Sequence, residues 1–366
     1  MEQNVITIFK PTLRCNICCI HCFVGDQRTA YQDMSQDDAI EILSKIPARS
    51  ELILHGGEPT LLGVDYYSAI FAPFSGRFLA SMQTNLMALD DRWIDFIESD
   101  LEGRISTSFD VAASLRPIDT SVWLENIQKL KQRGIFPYVV SMLWQGNQDN
   151  YDDIYAFFDS LDLSFRINPI ENIGYAKARF NELRHGYLSY AEAVISLFDK
   201  WFMSPNAKII VDPCAEILGF FLIGNSVRKC PFTSKCALHF ISINPDGSVF
   251  PCGGFDDFSG FRYGNLLTDT LQEVMNSRIR IEAARRSTRL PETCNKCAYF
   301  PICNGGCRLE AFSYHGDIYR ETSLCNDYKK IFRHIERRLE QEKGDVNDWW
   351  STLYERREKI NGHNLS

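Results

Sequence analysis

Regular alternation of short apolar runs with helical patterns is the feature that most limits the fold of this chain. Across residues 4–204 the apolar runs have the length and composition of β-strands. Segments with helical spacing separate them, such as SQDDAIEILSKI, in which Ser35 is a candidate N-cap. The predicted strands are VITIF, ELILH, FLASMQ, RISTSF, PYVVSML and SFRINPI. This alternation predicts parallel β/α units, in an open sheet or a barrel.

The second half of the chain has a different character. Cysteine, glycine and proline become frequent, and FISINPDGSVFPC predicts a β-hairpin that turns at Asp246 and Gly247. From Lys329 onward apolar residues again recur with helical spacing. We therefore expect three parts, which are a β/α domain over 1–211, a cysteine-rich domain over 212–328 and a helical tail over 329–366.

The cysteine content sets the compartment and the kind of ligand. The 366 residues include thirteen cysteines, and the first residues, MEQNVITIFK, do not form a signal peptide. We therefore expect a cytoplasmic protein, in which grouped cysteines bind metal more often than they form disulfides. The net charge of -8 argues against nucleic acid as a partner, and no apolar run is long enough to span a membrane.

The first cysteine group, in PTLRCNICCIHCFV, has two interpretations. Two CxxC pairs would give a zinc site or a fully ligated iron–sulfur cluster that uses Cys18. The pattern CxxxCxxC would instead give three thiolates to a [4Fe–4S] cluster and leave one iron open, with Cys15, Cys19 and Cys22 as ligands. The cysteines alone do not decide between these interpretations.

The end of the second predicted strand, ELILHGGEP, favours the open cluster. Gly56 and Gly57 would let a ligand approach the backbone, and Glu58, before Pro59, would take an ammonium group. An open iron beside an ammonium site suits S-adenosylmethionine, whose amino and carboxylate groups would chelate that iron.

CxxxCxxC after the first strand and GGEP after the second resemble the radical S-adenosylmethionine enzymes. The resemblance implies a partial (β/α)6 TIM-like barrel that is followed by a cysteine-rich domain for auxiliary clusters. It also implies a catalytic cluster on Cys15, Cys19 and Cys22. Two positions depart from the pattern, since Ile20 replaces a usual aromatic residue and Cys18 is extra and predicted not to be a ligand.

Later strand ends fit the same resemblance. In the family, such positions approach the methionine and ribose parts of the cofactor, and an arginine meets its carboxylate. The matching residues here are Thr84, Asn85, Ser108, Asp110 and Arg116. The alternative is that these polar groups only stabilise turns.

The later cysteines resemble the SPASM extension of these enzymes. The resemblance implies two further [4Fe–4S] clusters, for three in all, each new one with four protein ligands. One would use Cys230, Cys236, Cys252 and Cys307, and the other Cys294, Cys297, Cys303 and Cys325. A zinc ribbon is the alternative for the Cys294/Cys297 pair.

The resemblance implies an enzyme that forms a 5′-deoxyadenosyl radical and abstracts a hydrogen atom. SPASM relatives mostly act on peptides, so we expect a maturase that installs a cross-link in a ribosomally made precursor peptide with a leader. The bond would be of the C–C cyclophane type, a thioether or an ether. An external flavodoxin or ferredoxin would supply electrons. Cys15 lies too near the start for a fused leader-binding domain, so a separate protein or the enzyme's own surface would hold the leader.

Four other functions stay open. Sulfatase maturation to formylglycine uses an aspartate directly after the cysteine matching Cys252, where this chain has Gly253, with Asp256 and Asp257 further on. Peptide epimerisation would use Cys214 as a hydrogen donor, and a small-molecule radical dehydrogenase is a third possibility. A non-enzymatic electron-transfer or zinc-binding protein would leave GGEP without a use.

Overall fold

One sheet organises the fold. The computed structural model describes residues 5–112, 115–147, 149–184, 190–224, 230–233 and 236–361. Ten strands lie in these residues: β1 (Ile6–Thr12), β2 (Glu51–Gly56), β3 (Leu79–Thr84), β4 (Ile105–Ser108), β5 (Tyr138–Leu143), β6 (Phe165–Pro169), β7 (Val211–Asp212), β8 (Phe240–Ile243), β9 (Ser248–Phe250) and β10 (Gly264–Asn265). Their order across the sheet is β10-β9-β8-β1-β2-β3-β4-β5-β6-β7.

Neighbouring strands from β1 to β7 run parallel. The six strands expected from the alternating pattern are β1 to β6, and all six are confirmed. The seventh, β7, has two residues, too few to produce a periodic pattern. Within the described residues the sheet ends at β7 and β10, so the expected partial barrel with a parallel sheet is confirmed.

Helices connect the strands and build most of the second half. They are α1 (Gln36–Lys45), α2 (Val64–Phe71), α3 (Asp91–Ser99), α4 (Thr120–Gln132), α5 (Tyr151–Ser160), α6 (Phe180–Leu183), α7 (Tyr190–Trp201), α8 (Cys214–Ile223), α9 (Cys236–His239), α10 (Leu271–Met275), α11 (Arg278–Ala284), α12 (Arg286–Arg289), α13 (Glu292–Asn295), α14 (Phe300–Cys303), α15 (Arg308–His315), α16 (Cys325–Gln341) and α17 (Val346–Asn361). Ser35 caps α1 as expected, because its side chain accepts a hydrogen bond from the Asp38 backbone N–H.

The two faces of each parallel strand have different neighbours. On β2, Leu52 and Leu54 are fully buried in the same core as Ile42 of α1. The alternate residue His55 points to the other face, where it lines a central cavity. Because side chains alternate along a strand, one face packs on the helices and the other forms the wall of the cavity.

The cysteine-rich part continues the same sheet. β8 and β9 form the predicted antiparallel hairpin, and Gly247 at its turn has a φ of 76°. β8 also pairs in parallel with β1, where Ile6 lies opposite Phe240. The sheet therefore crosses the predicted boundary between 211 and 212, and the division into three domains stays a prediction.

The C-terminal helices pack on the body. α16 begins at Cys325, before the expected start of the tail at Lys329, so a predicted cluster ligand lies on its first turn. The indole N–H of Trp349 donates to the Ser204 carbonyl at 2.9 Å, and its ring meets Trp201 edge-on. Across the described residues, no helix has the length and apolar character needed to cross a bilayer.

A buried ion pair ties the cysteine-rich part to the barrel. The Lys10 ammonium on β1 contacts the Asp256 carboxylate, and their side chains are 0% and 2% exposed. Burial raises the pKa of Asp256, and the charge of Lys10 opposes that rise. Since neither charge reaches water, each depends on the other for stabilisation.

We predict that Lys10→Met lowers the free energy of unfolding by about 3–5 kcal/mol, because it leaves the Asp256 carboxylate buried without a counter-charge. Urea unfolding followed by circular dichroism measures the change. The double variant Lys10→Met/Asp256→Leu removes both charges and should recover most of the loss. Arg92→Met, at the exposed Arg92–Asp65 pair, is the control and should cost at most about 1 kcal/mol. A double variant as unstable as Lys10→Met would contradict the role of the ion pair.

Candidate active site

The first cysteine group lies in the loop after the carboxyl end of β1. Cys15, Cys19 and Cys22 are half-buried there, whereas Cys18 is exposed. Burial is the main cause that raises the pKa of Cys19 to about 12, and the charges of Cys22 and Cys15 add to the rise. The three thiols of CxxxCxxC therefore lie close enough to repel one another when ionised. The thiol of Cys18 instead makes a hydrogen bond with Arg28.

The GGEP turn after β2 packs directly against this loop. A Cβ atom on Gly56 would lie 2.1 Å from the Thr12 carbonyl oxygen, and one on Gly57 would lie 2.0 Å from that of Arg14. The Gly57 N–H donates to the Thr12 carbonyl at 3.0 Å, and the Glu58 N–H donates to that of Arg14 at 2.8 Å. The sequence suggested that the glycines admit a ligand, but the group that approaches them here is the chain's own backbone.

Glu58 joins the turn to the end of β3. Its carboxylate accepts hydrogen bonds from the Thr84 hydroxyl and the Asn85 backbone N–H, each at 2.7 Å, and from Thr60 at 2.7 Å. The side-chain amide of Asn85 lies 3.8 Å from the Cys15 sulfur. Burial raises the pKa of Glu58, and these hydrogen bonds oppose that rise. Glu58, Thr84 and Asn85 are thus brought together beside the first cysteine, while Pro59 begins a short 3-10 helix.

The remaining candidate cofactor residues cluster after β4. The Arg116 guanidinium lies 3.1 Å from one oxygen of Asp110, and the other oxygen accepts a hydrogen bond from the Met142 N–H at 2.8 Å. The Ser108 hydroxyl accepts from Gln83 at 3.0 Å. Arg116 also lowers the pKa of Cys19, so it lies near the cysteine loop. The sequence had treated Arg116 and Asp110 as separate contacts, whereas they form an ion pair.

A central cavity of about 580 Å³ lies on the inner face of the sheet. Ser108 and Arg116 line it near the first cysteine loop, and Cys252 and Cys307 line it as well. Most of its remaining wall is apolar. The second cysteine group therefore lines the cavity directly, while the first cysteine loop reaches it through His21 and Phe23. The cavity volume is within the range of small-molecule sites.

Several polar residues of the cavity wall were not predicted from the sequence, namely His21, His55, Arg166, Glu171 and Glu310. Burial lowers the pKa of His21 to about 3 and that of His55 to about 4, so both imidazoles are neutral. Glu171 comes just after β6, so its position at a strand end was a usable signal. Glu310 lies on α15, which begins directly after Cys307. No pattern in the sequence predicts that the Glu310 side chain lines the cavity.

The second cysteine group comprises Cys230, Cys236, Cys252 and Cys307. A hydrogen bond with Cys307 is the first cause of the raised pKa of Cys230, followed by burial and by the charges of the other members. Burial also raises the pKa of Cys236, and the guanidinium of Arg308 opposes the rise. The four thiols thus lie near one another, and Cys230, Cys252 and Cys307 line the central cavity. Four such thiols are the donor set that an iron–sulfur cluster takes.

The third cysteine group lines a cavity of its own, of about 380 Å³. Its members are Cys294, Cys297, Cys303 and Cys325. Burial raises the pKa of Cys303 to about 12, with additions from the charges of the other three. In the described part of the chain, no three histidine, cysteine or acidic side chains form a site for a single metal ion. Four thiols around this cavity are a donor set that suits a larger iron–sulfur group.

Cys214 lies apart from these groups. It is fully buried at the start of α8, and its thiol donates to the Val194 carbonyl at 3.6 Å. Pro213 lines the central cavity, but Cys214 is not among the described residues in that wall. A hydrogen donor must reach the substrate, so this position does not suit the role suggested for Cys214.

We predict that Gly57→Ala displaces the cysteine loop, because the added methyl group would overlap the Arg14 carbonyl. The variant should lose the iron held by one of the three expected clusters and bind S-adenosylmethionine more weakly. Iron per chain and equilibrium dialysis measure both. Gly260→Ala is the matched control, since nothing lies within 4 Å of its added Cβ. Full iron content in Gly57→Ala would contradict the prediction.

Comparison with known proteins agrees with this geometry. The family models for the Radical SAM superfamily and the SPASM iron-sulfur cluster-binding domain match residues 9–161 and 235–298. The chain is similar to the cysteine-type anaerobic sulfatase-maturating enzyme of Clostridium perfringens, with 24% identity over 91% of this chain and 96% of that enzyme. It is 30% identical to the PqqA peptide cyclase of Xanthomonas euvesicatoria over 28% of this chain and 27% of that protein.

The solved structure of native anSMEcpe with bound AdoMet and the Cp18Cys peptide has the same fold, with a TM-score of 0.77 at 19% identity. The likeness covers 96% of this chain and 100% of that one. The motifs, the fold and both family matches agree: this chain is a radical S-adenosylmethionine enzyme with a SPASM domain.

Proposed function

We propose that this enzyme removes two hydrogens from a peptide, one from a side-chain carbon and one from a second group, and joins that carbon to that group. The new bond would be C–C, thioether or ether. The observation that carries the proposal is the central cavity, whose wall includes Arg116 near the first cysteine loop and Cys252 and Cys307 of the second group. A substrate residue in this cavity would lie between a centre that starts the oxidation and a centre that accepts an electron.

Three [4Fe–4S] clusters are part of the proposal. The mutual effects of the thiols on their pKa values and the separate cavity of the third group support the assignment. The ligand sets are Cys15, Cys19 and Cys22; Cys230, Cys236, Cys252 and Cys307; and Cys294, Cys297, Cys303 and Cys325. The first set leaves room for a ligand from outside the chain.

S-adenosylmethionine would bind at the strand ends beside the first set. The proposed contacts are Gly56, Gly57, Glu58, Pro59, Thr84, Asn85, Ser108, Asp110 and Arg116. When bound, this cofactor and the cluster supply hydrogen-atom abstraction from an unactivated carbon. Glu58 fixes Asn85 beside Cys15, and Asp110 orients Arg116. The apolar wall of the cavity keeps water away from the reacting carbon.

A peptide is the proposed substrate. The solved anSMEcpe structure holds a peptide, and a relative over part of the chain is a peptide cyclase, which supports this class. A ribosomal precursor with a leader would be the natural form of the peptide. An external flavodoxin or ferredoxin would donate electrons, and a separate protein would present the leader if the enzyme's own surface does not.

Sulfatase maturation is the second candidate, favoured by the relative in Clostridium perfringens that aligns over 91% of this chain. Gly253 stands where that group has an aspartate. The acids that follow do not replace it, because Asp256 pairs with Lys10 and Asp257 binds Lys177 and the Gly174 N–H. Cross-linking and formylglycine formation are both two-electron oxidations, so they must be separated by the structure of the product.

Epimerisation and small-molecule dehydrogenation have less support. The buried thiol of Cys214 donates to a backbone carbonyl and lies outside the cavity wall. A small-molecule dehydrogenase has no specific observation in its favour.

We predict that Cys19→Ser loses the iron of one cluster and all cleavage of S-adenosylmethionine, while Cys18→Ser keeps both. The reason is that the Cys19 thiol lies with Cys15 and Cys22, whereas Cys18 is exposed beside Arg28. Iron per chain and the yield of 5′-deoxyadenosine measure the difference. Loss of iron in Cys18→Ser would favour the alternative in which two CxxC pairs, including Cys18, ligate the metal site.

The product is tested with the reconstituted enzyme, S-adenosylmethionine, a reductant and a peptide encoded beside it, in heavy water with mass spectrometry. Cross-linking predicts loss of two hydrogens, no deuterium uptake and a fragmentation pattern that skips the bridged residues. A product that reacts with a hydrazide would carry an aldehyde and favour formylglycine formation. Uptake of one deuterium at an α-carbon would favour epimerisation. Cleavage of the cofactor with every tested peptide unchanged would contradict the proposed substrate class.

A further inference from the structure

Two carboxylates face the central cavity. Among the described residues, Glu171 and Glu310 are the acidic side chains in its wall, which they share with Cys252 and Cys307. Glu171 lies just past the carboxyl end of β6, and Glu310 lies on α15. The two are close enough that the charge of Glu171 raises the pKa of Glu310.

Their surroundings differ. The Glu310 carboxylate accepts hydrogen bonds from the hydroxyls of Thr322 and Ser323. The Glu171 carboxylate has no hydrogen-bond or ion-pair partner within the described residues, and burial is the one cause of its raised pKa. A carboxylate that lines a cavity without a partner is available to a bound molecule.

Other acids near the site are already engaged. Asp110 is held by Arg116 and by the Met142 N–H. Asp256 and Asp257, which follow Cys252 in the chain, bind Lys10 and Lys177. Glu171 is therefore the acid in this region that is both exposed to the cavity and unpaired among the described residues.

We propose that Glu171 is the base that takes the substrate proton, an inference that rests on the proposed function. Removal of one hydrogen atom from the substrate carbon would leave a carbon radical, and the second hydrogen, on the group to be joined, would be lost as a proton and an electron. The bond between this hydrogen and the second group would break as that group forms the new bond to the substrate carbon radical, and an O–H bond would form on a Glu171 oxygen. The electron would pass to a one-electron acceptor of the iron–sulfur class, so that two electrons and two hydrogens would leave the substrate in all.

A smaller cavity of about 60 Å³ gives the proton a way out. Glu171 and Glu310 are in its wall as well as in the wall of the central cavity. Its other polar lining residues are Asn172, Arg184, Ser313, Tyr314, Ser323 and Asp327. Its volume is sufficient for a water molecule. A proton on Glu171 can therefore leave on the side away from the substrate, past Glu310.

The acid–base properties of Glu171 agree with this role. Burial raises its pKa to about 7, so the Glu171 side chain is ionised in a large fraction of the molecules at neutral pH. A carboxylate with this pKa is also basic enough to take a proton. The titratable and charged groups around it are Glu310, Cys252, Arg184, Tyr314 and Asp327.

The test compares the reconstituted wild-type enzyme with Glu171→Gln, which keeps the size of the side chain and removes the base. With a substrate deuterated at the reacting carbon, the variant should still transfer deuterium to 5′-deoxyadenosine. The ratio of oxidised peptide to 5′-deoxyadenosine should fall by about 100-fold or more. Iron content and S-adenosylmethionine affinity should equal those of the wild type, which distinguishes lost proton transfer from lost structure.

Two further variants complete the design. Glu171→Ala opens space in the cavity wall, so added acetate should bind there and restore the ratio of oxidised peptide to 5′-deoxyadenosine. This rescue also tests the role of Glu171 if the Glu171→Gln variant loses iron. Asp257→Asn is the control and should keep the wild-type ratio. An unchanged ratio in Glu171→Gln, no rescue of Glu171→Ala by acetate, or loss of coupling in Asp257→Asn alone would overturn the inference. A wild-type enzyme that oxidises no peptide would instead refute the proposed function.

Discussion

The contact between the GGEP turn and the loop after β1 is the constraint on which the site depends. The carbonyl oxygens of Thr12 and Arg14 lie where side chains on Gly56 and Gly57 would begin. This leaves room for backbone hydrogen bonds that fix the cysteine loop to the end of β2. Glu58 extends the same connection to the end of β3 through two donors, the Thr84 hydroxyl and the Asn85 backbone N–H. A loop with four cysteines and little regular structure is thereby held in one position by its neighbours.

β1 carries this constraint to the rest of the molecule. It pairs with β2 on one side and with β8 on the other, so the first cysteine loop and the hairpin before Cys252 belong to one sheet. The buried Lys10–Asp256 pair adds a second link at the same strand. The central cavity lies between parts that cannot move independently without breaking backbone hydrogen bonds. Fixed placement of this kind lets one cavity receive groups from distant parts of the chain.

Sequence patterns were sufficient where the cause of the structure is local. Alternation of apolar residues predicted β1 to β6, and turn chemistry predicted the hairpin at Gly247. The two-residue β7 carries no pattern, and the pairing of β8 with β1 joins segments that are far apart in sequence. The same distinction between local patterns and tertiary contacts applies to the candidate site. Strand ends identified Glu58 and Asn85, but their bonding partners, and the Asp110–Arg116 pair, depend on tertiary contacts.

The acidic residues show why chemistry is assigned by position in space. Asp256 and Asp257 lie close to Cys252 in sequence, but Lys10 and Lys177 hold them away from the cavity wall. Glu171 belongs to the barrel, yet it lines the same cavity as Cys252. A side chain can act as the base when it reaches the departing proton and is basic enough to take it. Such a side chain can come from the barrel or from the cysteine-rich part. The absence of an aspartate after Cys252 therefore does not by itself exclude a two-electron oxidation, because the cavity contains another carboxylate.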